Sequence, residues 1–449
     1  MTSTLDRTLL DRSKHLKQAL LDFVLEAEGD LAVALESFSA DQSLRWSKHK
    51  LQSVSQANLA IDMFLTEGRV ADRSVLDLFA QQPAHSAADR ALLASWHRSF
   101  HGLFTVVQAD SGSYELMNWL TEKHYRVVPN GLESEAAIAR LRQGEIIVAR
   151  LSPLDEQTWT FSGPMLLLGK LGKPKLAVAI GNFKNWFPQH LYGDAPDLLE
   201  AAWQSVERYH TEFVDFFGGD QITLSGYDLS KKLKDYQEAT TQRRLAEAGL
   251  DSSKSLKDLA DQAGVSEAEL EASVEAMGED GQTVRGLLNN PQAVKMMMPP
   301  LQLPDDLKRA EAVTVLVHPR WGQTFLKDYV RLSELLDESS ADAAETVDRL
   351  TLKYLKQEAA NAYVWHCLAA ERPAALTAAL RRVLDQPDFE LSPDLDATLA
   401  RFEKPLEPQL PEIASVPLHL HNLFQEALQE VGQSSSKKKK AKKKTGFGA

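Results

Sequence analysis

The sequence predicts an α+β protein, mostly helical, in which a small antiparallel β-sheet or open barrel lies between helical domains and a disordered basic tail closes the chain. Three observations carry this. Apolar residues recur at helical spacing over residues 1–103 and again beyond residue 313. Between Phe104 and Phe161 the texture changes to short β-branched and aromatic runs parted by turn formers. Residues 433–449 are Gln, Ser, Lys, Gly and little else, too little apolar surface to drive folding. The expected divisions are a helical domain 1–103, a small β domain with packed helices 104–235, a linker with a helical hairpin 236–312, a helical domain 313–432 and the tail 433–449.

In order along the chain, Leu16, Leu20, Phe23, Val24 and Ala27 mark one face of a first helix. Ala57, Leu59, Ala60, Met63 and Phe64 do the same within a helix expected over Ser47 to Thr66, and a third runs from Ala87 to His101. Strands are expected at Phe104–Val107, Tyr114–Leu120, His124–Val128, Glu145–Leu151 and Thr158–Phe161. Asp110-Ser111-Gly112, Pro129-Asn130-Gly131 and Ser162-Gly163-Pro164 make turns among or after them. Connections this short favour antiparallel pairing, because parallel neighbours need a long crossover. A helix follows Pro174. A longer one spans Pro196 to Phe217, where Leu198, Ala202, Val206, Tyr209, Phe213 and Phe216 form a broad apolar face. Gly, Ser and Asp clusters with Met296-Met297-Met298-Pro299-Pro300 read as a linker. A buried strand is expected over Ala312 to Val317, then helices over Gln323–Leu336, Ala341–Ala370, Ala374–Asp385 and Leu418–Val431. Prolines at 387, 393, 405, 408, 411 and 417 read as an extended strap.

A chain of 449 residues, 43% hydrophobic and 25% charged, has room for two or three cores. The single cysteine, Cys367, excludes an intramolecular disulfide and any thiolate cluster, and fits a cytoplasmic setting. The first residues are broken by charges, so no signal peptide is expected. The most apolar run, Gly163 to Gly181, contains lysines and prolines and falls short of the ~20 apolar residues of a membrane helix.

Residues 253–275 match helix-turn-helix spacing through Leu259, Ala260, Gly264, Val265, Ser266 and Leu270. The reading helix would carry Glu267, Glu269 and Glu271 toward phosphates, which argues against sequence-specific DNA binding. The run from Leu141 through Arg150 to Pro153, followed by Trp159 to Pro164, resembles a β element of uncharacterised bacterial proteins, some of which end in a SecA-type zinc motif. That motif's Cys/His cluster is absent here, so the resemblance implies little chemistry. The basic ending with Gly446-Phe447-Gly448 is similar to that of conserved cyanobacterial proteins.

His97 and His101, four apart on an expected helix, and His419 and His421 have metal-ligand character. Arg98 after His97 opposes a cation, and a helix-start capping role suits the second pair better. His366 and Cys367 point about 100° apart on a helix and would not face each other. No metal or other cofactor is expected. Phe183, Trp186, Phe187, His190 and Tyr192 form a ring-rich stretch beside Lys184. It is a candidate interaction surface, able to stack nucleotides or a peptide proline, although core packing is the commoner use of such a cluster.

Seven lysines, Lys437, Lys438, Lys439, Lys440, Lys442, Lys443 and Lys444, stand against a net charge of −13, so the rest of the chain carries −20. The expectation is a non-enzymatic interaction protein, an adaptor or assembly factor with a protein partner, whose tail docks on RNA, a ribosome or another acidic surface. The alternatives are an enzyme with a site between the β domain and adjacent helices, near Trp203, Arg208 and His210, and a DNA-binding regulator acting through residues 253–275.

Overall fold

A computed structural model describes residues 7–49, 51, 55–110, 112–131, 135–247, 303–338 and 340–411, with 413, 414, 417, 419, 420, 423, 426 and 427. The helix-turn-helix pattern, Met296 to Met298, His421 and the lysine tail lie outside these residues. The chain divides into two units, residues 1–201 with the C-terminal stretch from 416, and residues 202–415. Among the described residues no helix is long and apolar enough to cross a membrane.

The first unit opens with α1 (Arg7–Leu25), α2 (Asp30–Lys48) and α3 (Gln56–Glu67). A two-residue hairpin, β1 (Arg69–Val70) with β2 (Arg73–Ser74), leads to α4 (Val75–Ala80), α5 (Ala87–Ser95) and a 3₁₀ turn at Trp96–Arg98. Serines start three of these helices: Ser55, Ser74 and Ser86 each accept from a backbone N–H three residues on, and Asp89 completes a capping box with Ser86. Leu16, Leu20, Phe64, Phe79, Leu93 and Trp96 close the bundle core.

The sheet is built from β3 (Phe100–Asp110), β4 (Ser113–Asn118), β5 (His124–Val128), β6 (Ile146–Pro153), β7 (Thr158–Phe161) and β8 (Leu166–Gly169), with a one-turn helix α6 (Glu135–Ile138) before β6. The strand order is β3-β4-β5-β7-β6 and back to β3, a closed five-stranded barrel with β8 added on β6. The antiparallel sheet or open barrel expected here is a closed barrel, and one of its pairings is parallel. β5 and β7 pair in parallel, because α6 and all of β6 lie between them in sequence and supply the long crossover.

Strand alternation then sorts the side chains. Phe100, Phe104, Tyr125, Ile147, Leu151 and Phe161 point inward and fill the barrel. Leu103, Ile146 and Val148 point outward and pack against α3 and the next helix, α7 (Lys173–Trp186). The helical stretch therefore shares a unit with the barrel, and the boundary expected at residue 103 falls inside β3.

After a 3₁₀ turn at Pro188–His190, α8 (Pro196–Phe217) carries the chain into the second unit. There β9 (Gln221–Leu224), β10 (Val313–His318) and β11 (Gly322–Lys327) form an antiparallel sheet in the order β11-β10-β9. Between β9 and β10, α9 (Gly226–Glu247) runs past the linker boundary expected at 236. The helices α10 (Tyr329–Leu336), α11 (Ala341–Lys356), α12 (Ala362–Glu371), α13 (Pro373–Leu384) and α14 (Leu391–Arg401) complete the unit. The residues read as the start of a helix at Gln323 are a strand, and α14 interrupts the expected strap.

Candidate functional site: a cavity floored by buried ions

Register places the first pair of the site. His101 on β3 lies directly opposite Arg150 on β6, both on the outer face of the barrel wall. His101 is thus a strand residue, and the helical spacing to His97 that the sequence suggested does not exist; His97 pairs with exposed Asp77 at 3.3 Å instead. Arg150 is 1% exposed, an extreme for a residue type that is almost never fully buried unless paired.

Its partners come from the last two turns of α3, where Asp62, Thr66 and Glu67 face the barrel. The guanidinium donates to Glu67 and to Thr66 Oγ1, lies 3.7 Å from Asp62 Oδ2 through Nε, and donates to His101 Nδ1 at 3.2 Å. Arginine can only donate, so Nδ1 accepts and the imidazole proton sits on Nε2. Phe187 stacks on the His101 ring at 4.2 Å and 9°, and His190 Nε2 lies 3.2 Å from Glu67 Oε1. From α1, Lys17 Nζ donates to Asp62 Oδ1 at 2.5 Å and to Ser162 Oγ at 2.8 Å, while the Ser162 hydroxyl reaches Asp62 Oδ1 at 3.3 Å. Gly163 is required beside this contact, because a Cβ there would stand 2.4 Å from the Asp62 carboxylate.

Two cations and two carboxylates therefore balance inside the unit. Burial pulls the Lys17 ammonium below its usual value, opposed by Asp62. Burial, then the Arg150 guanidinium and His190, hold the His101 imidazole well below its usual value, so this ring is neutral. Burial raises the Glu67 carboxyl, but Arg150 and His190 together outweigh it and hold the group well below the carboxylate range.

Glu67, His101 and His190 bring ligand-type atoms within 4.8 Å of one another. Their chemistry would suit a two-histidine, one-carboxylate cation site. The donor set does not fit one here, because the Arg150 guanidinium already bonds Glu67 and His101 and supplies the positive charge at that position.

Beside the network opens a cavity of about 690 Å³. Lys17, Asp62, Asn130 and Ser162 make its polar floor, and Leu21, Ile61, Leu65, Pro164 and Met165 its walls. Exposed Gln18, Leu25, Ser55 and Asn58 stand at the rim. This volume and mixture fall in the range of small-molecule sites.

The ring-rich stretch is placed differently from an open stacking platform. Phe183, Trp186, Phe187 and His190 are buried and Tyr192 is half-buried. Trp186 Nε1 donates to His49 O at 3.0 Å, so the stretch is the seam between α7, its following turn and the bundle. Only Phe187 and His190 reach the ion network. The rings that alternate on β4 and β5, Tyr114 and Tyr125, also point into the barrel. Among the other residues read from the sequence, His419 Nε2 meets Trp119 O at 2.9 Å, and His366 pairs with Asp396 at 2.9 Å, away from half-buried Cys367. Trp203 lies under the Arg320 guanidinium at 4.4 Å in the second unit, where Arg208 is exposed. Sequence reasoning missed Lys17, Asp62, Glu67, Arg150 and Ser162.

Comparison with protein-family models, with curated proteins and with solved structures returns no match for this chain.

Proposed function

We propose that this chain is a non-enzymatic interaction protein, an adaptor or assembly factor, whose folded body binds a protein partner and whose lysine tail docks on RNA, a ribosome or another acidic surface. The observation that carries the reading is charge segregation: seven lysines in Lys437–Lys440 and Lys442–Lys444 against −20 on the rest. An acidic body repels polyanions, so attachment is confined to the tail and is independent of base sequence. Seven contacts to single-stranded RNA correspond to a slope of roughly −5 in log K against log salt. Burial of Phe183, Trp186, Phe187, His190, Tyr114 and Tyr125 supports the same division, since it withdraws those rings from stacking.

The test is affinity capture of the full chain and of a version ending at Ser436, each with and without RNase. RNA or ribosomal partners should vanish with the tail and with RNase, while the protein partner of the body persists. Identical partners and identical salt sensitivity for both versions would overturn the docking role.

A further inference from the structure

The hydrogen-bond inventory of the cavity floor leaves one donor unspent. Asp62 Oδ1 accepts from both Lys17 and Ser162, and the Ser162 hydrogen is committed to that carboxylate. Lys17 Nζ has three protons and gives two of them, to Asp62 and Ser162. Its side chain keeps some exposure and lines the cavity. The other orphaned atoms of the network, Asp62 Oδ2 and Arg150 Nε, face each other at 3.7 Å and are sealed from the cavity. The floor therefore offers a positive donor and asks for an acceptor, while Leu21, Ile61, Pro164 and Met165 offer apolar wall.

We infer that this cavity binds a small molecule with an apolar body whose carbonyl oxygen, of an amide or a carboxylate, takes the third ammonium proton of Lys17. A carbonyl head suits the site because it accepts and brings no proton that the floor would leave unpaired. A cationic head would meet the Lys17 ammonium with like charge and is disfavoured. Asp62 and Ser162 hold the ammonium at the end of β7, so the donor is in place before the ligand arrives. The site is independent of the tail, and the version ending at Ser436 should bind as the full chain does.

Calorimetric titration of the full chain with octanoate, octanamide and octyltrimethylammonium tests this. Octanoate and octanamide should each bind at one saturable site and octyltrimethylammonium should not. The difference between the first two reports whether the anion adds to the carbonyl contact. Lys17→Met should weaken both by about tenfold or more, the loss of one charge-assisted hydrogen bond. Because that change also strands Asp62, Met165→Trp serves as a second variant, filling the cavity while leaving Lys17, Asp62 and Ser162 in place. It should abolish binding with an unchanged thermal midpoint. Failure of octanoate and octanamide to saturate one site would overturn the inference, as would equal binding of octyltrimethylammonium or undiminished binding by Met165→Trp.

Discussion

Replacing Arg150 with methionine removes a charge while keeping most of the volume. It severs the contacts to Glu67, Thr66 and His101 and the approach to Asp62, all at a side chain 1% exposed. Asp62 retains Lys17, but Glu67 keeps only His190 as its near ring partner. Breaking a buried pair on one side costs about 3–5 kcal/mol, because the stranded charge keeps its desolvation penalty. For a unit of this size about 4 kcal/mol lowers the melting midpoint by roughly 8–16 °C. Removing the stranded charge as well, in Arg150→Met with Glu67→Gln, should recover about half of that loss, since replacing both partners is often nearly neutral. Scanning calorimetry gives the midpoints, and hydrogen exchange of peptides covering β3 and β6 assigns the loss to the first unit. A single substitution costing under about 1 kcal/mol, or a double variant as unstable as the sum of its parts, would refute the network as the link between α3 and the barrel.

Acid should weaken the same seam. The folded His101 ring resists protonation, whereas the unfolded ring takes a proton near pH 6.5. Stability is therefore level above that pH and falls below it, by up to about 1.4 kcal/mol per pH unit, until the folded ring itself titrates. Glu67, held low in the fold, adds a further loss only below its ordinary value of 4.5. Urea midpoints measured from pH 8 to 5 should show the first decline, and His101→Gln should flatten it; a flat wild-type profile in that window contradicts the account. In the second unit, Gly226→Ala should cost about 1–3 kcal/mol by overpacking, because its Cβ would stand 2.0 Å from the Leu307 carbonyl oxygen, a backbone atom with little freedom to yield. Only the second unit's calorimetric transition should move, and a shift in the first would show that the two were misassigned.

Local pattern made much of the fold legible. His124–Val128, Thr158–Phe161 and Pro196–Phe217 carry their own turn and helix signals, and the structure keeps those bounds. Where the reading failed, a local period was ambiguous or a distant partner decided. Phe325, Leu326 and Tyr329 fit a helical spacing, yet β10 lies ready to pair and Gln323 to Lys327 join it; Asp328, at a positive φ, ends the strand before α10. The helix expected over Ala341 to Ala370 breaks before Asn361, whose side chain caps α12. The site was less legible still. Ile146, Val148, Arg150 and Ser152 alternate on one face of β6, and an arginine among apolar outer residues is a signal that the strand's second face is buried. Its partners, at positions 62, 67 and 101, belong to other elements, and no spacing within one sequence joins them.

The first unit is interrupted. Leu420 and Leu423 pack into the core shared by Leu103, Val148 and Phe183, and His419 meets Trp119 across 300 residues of chain. At the ~5–20 residues per second of synthesis, Trp119 waits roughly 15–60 s for that partner. During that interval the barrel and bundle can form, but one apolar margin of their shared core stays open to water. Completion of the first unit is thereby tied to synthesis of Leu420 and Leu423, and a chain stopped anywhere in the second unit leaves that margin uncovered.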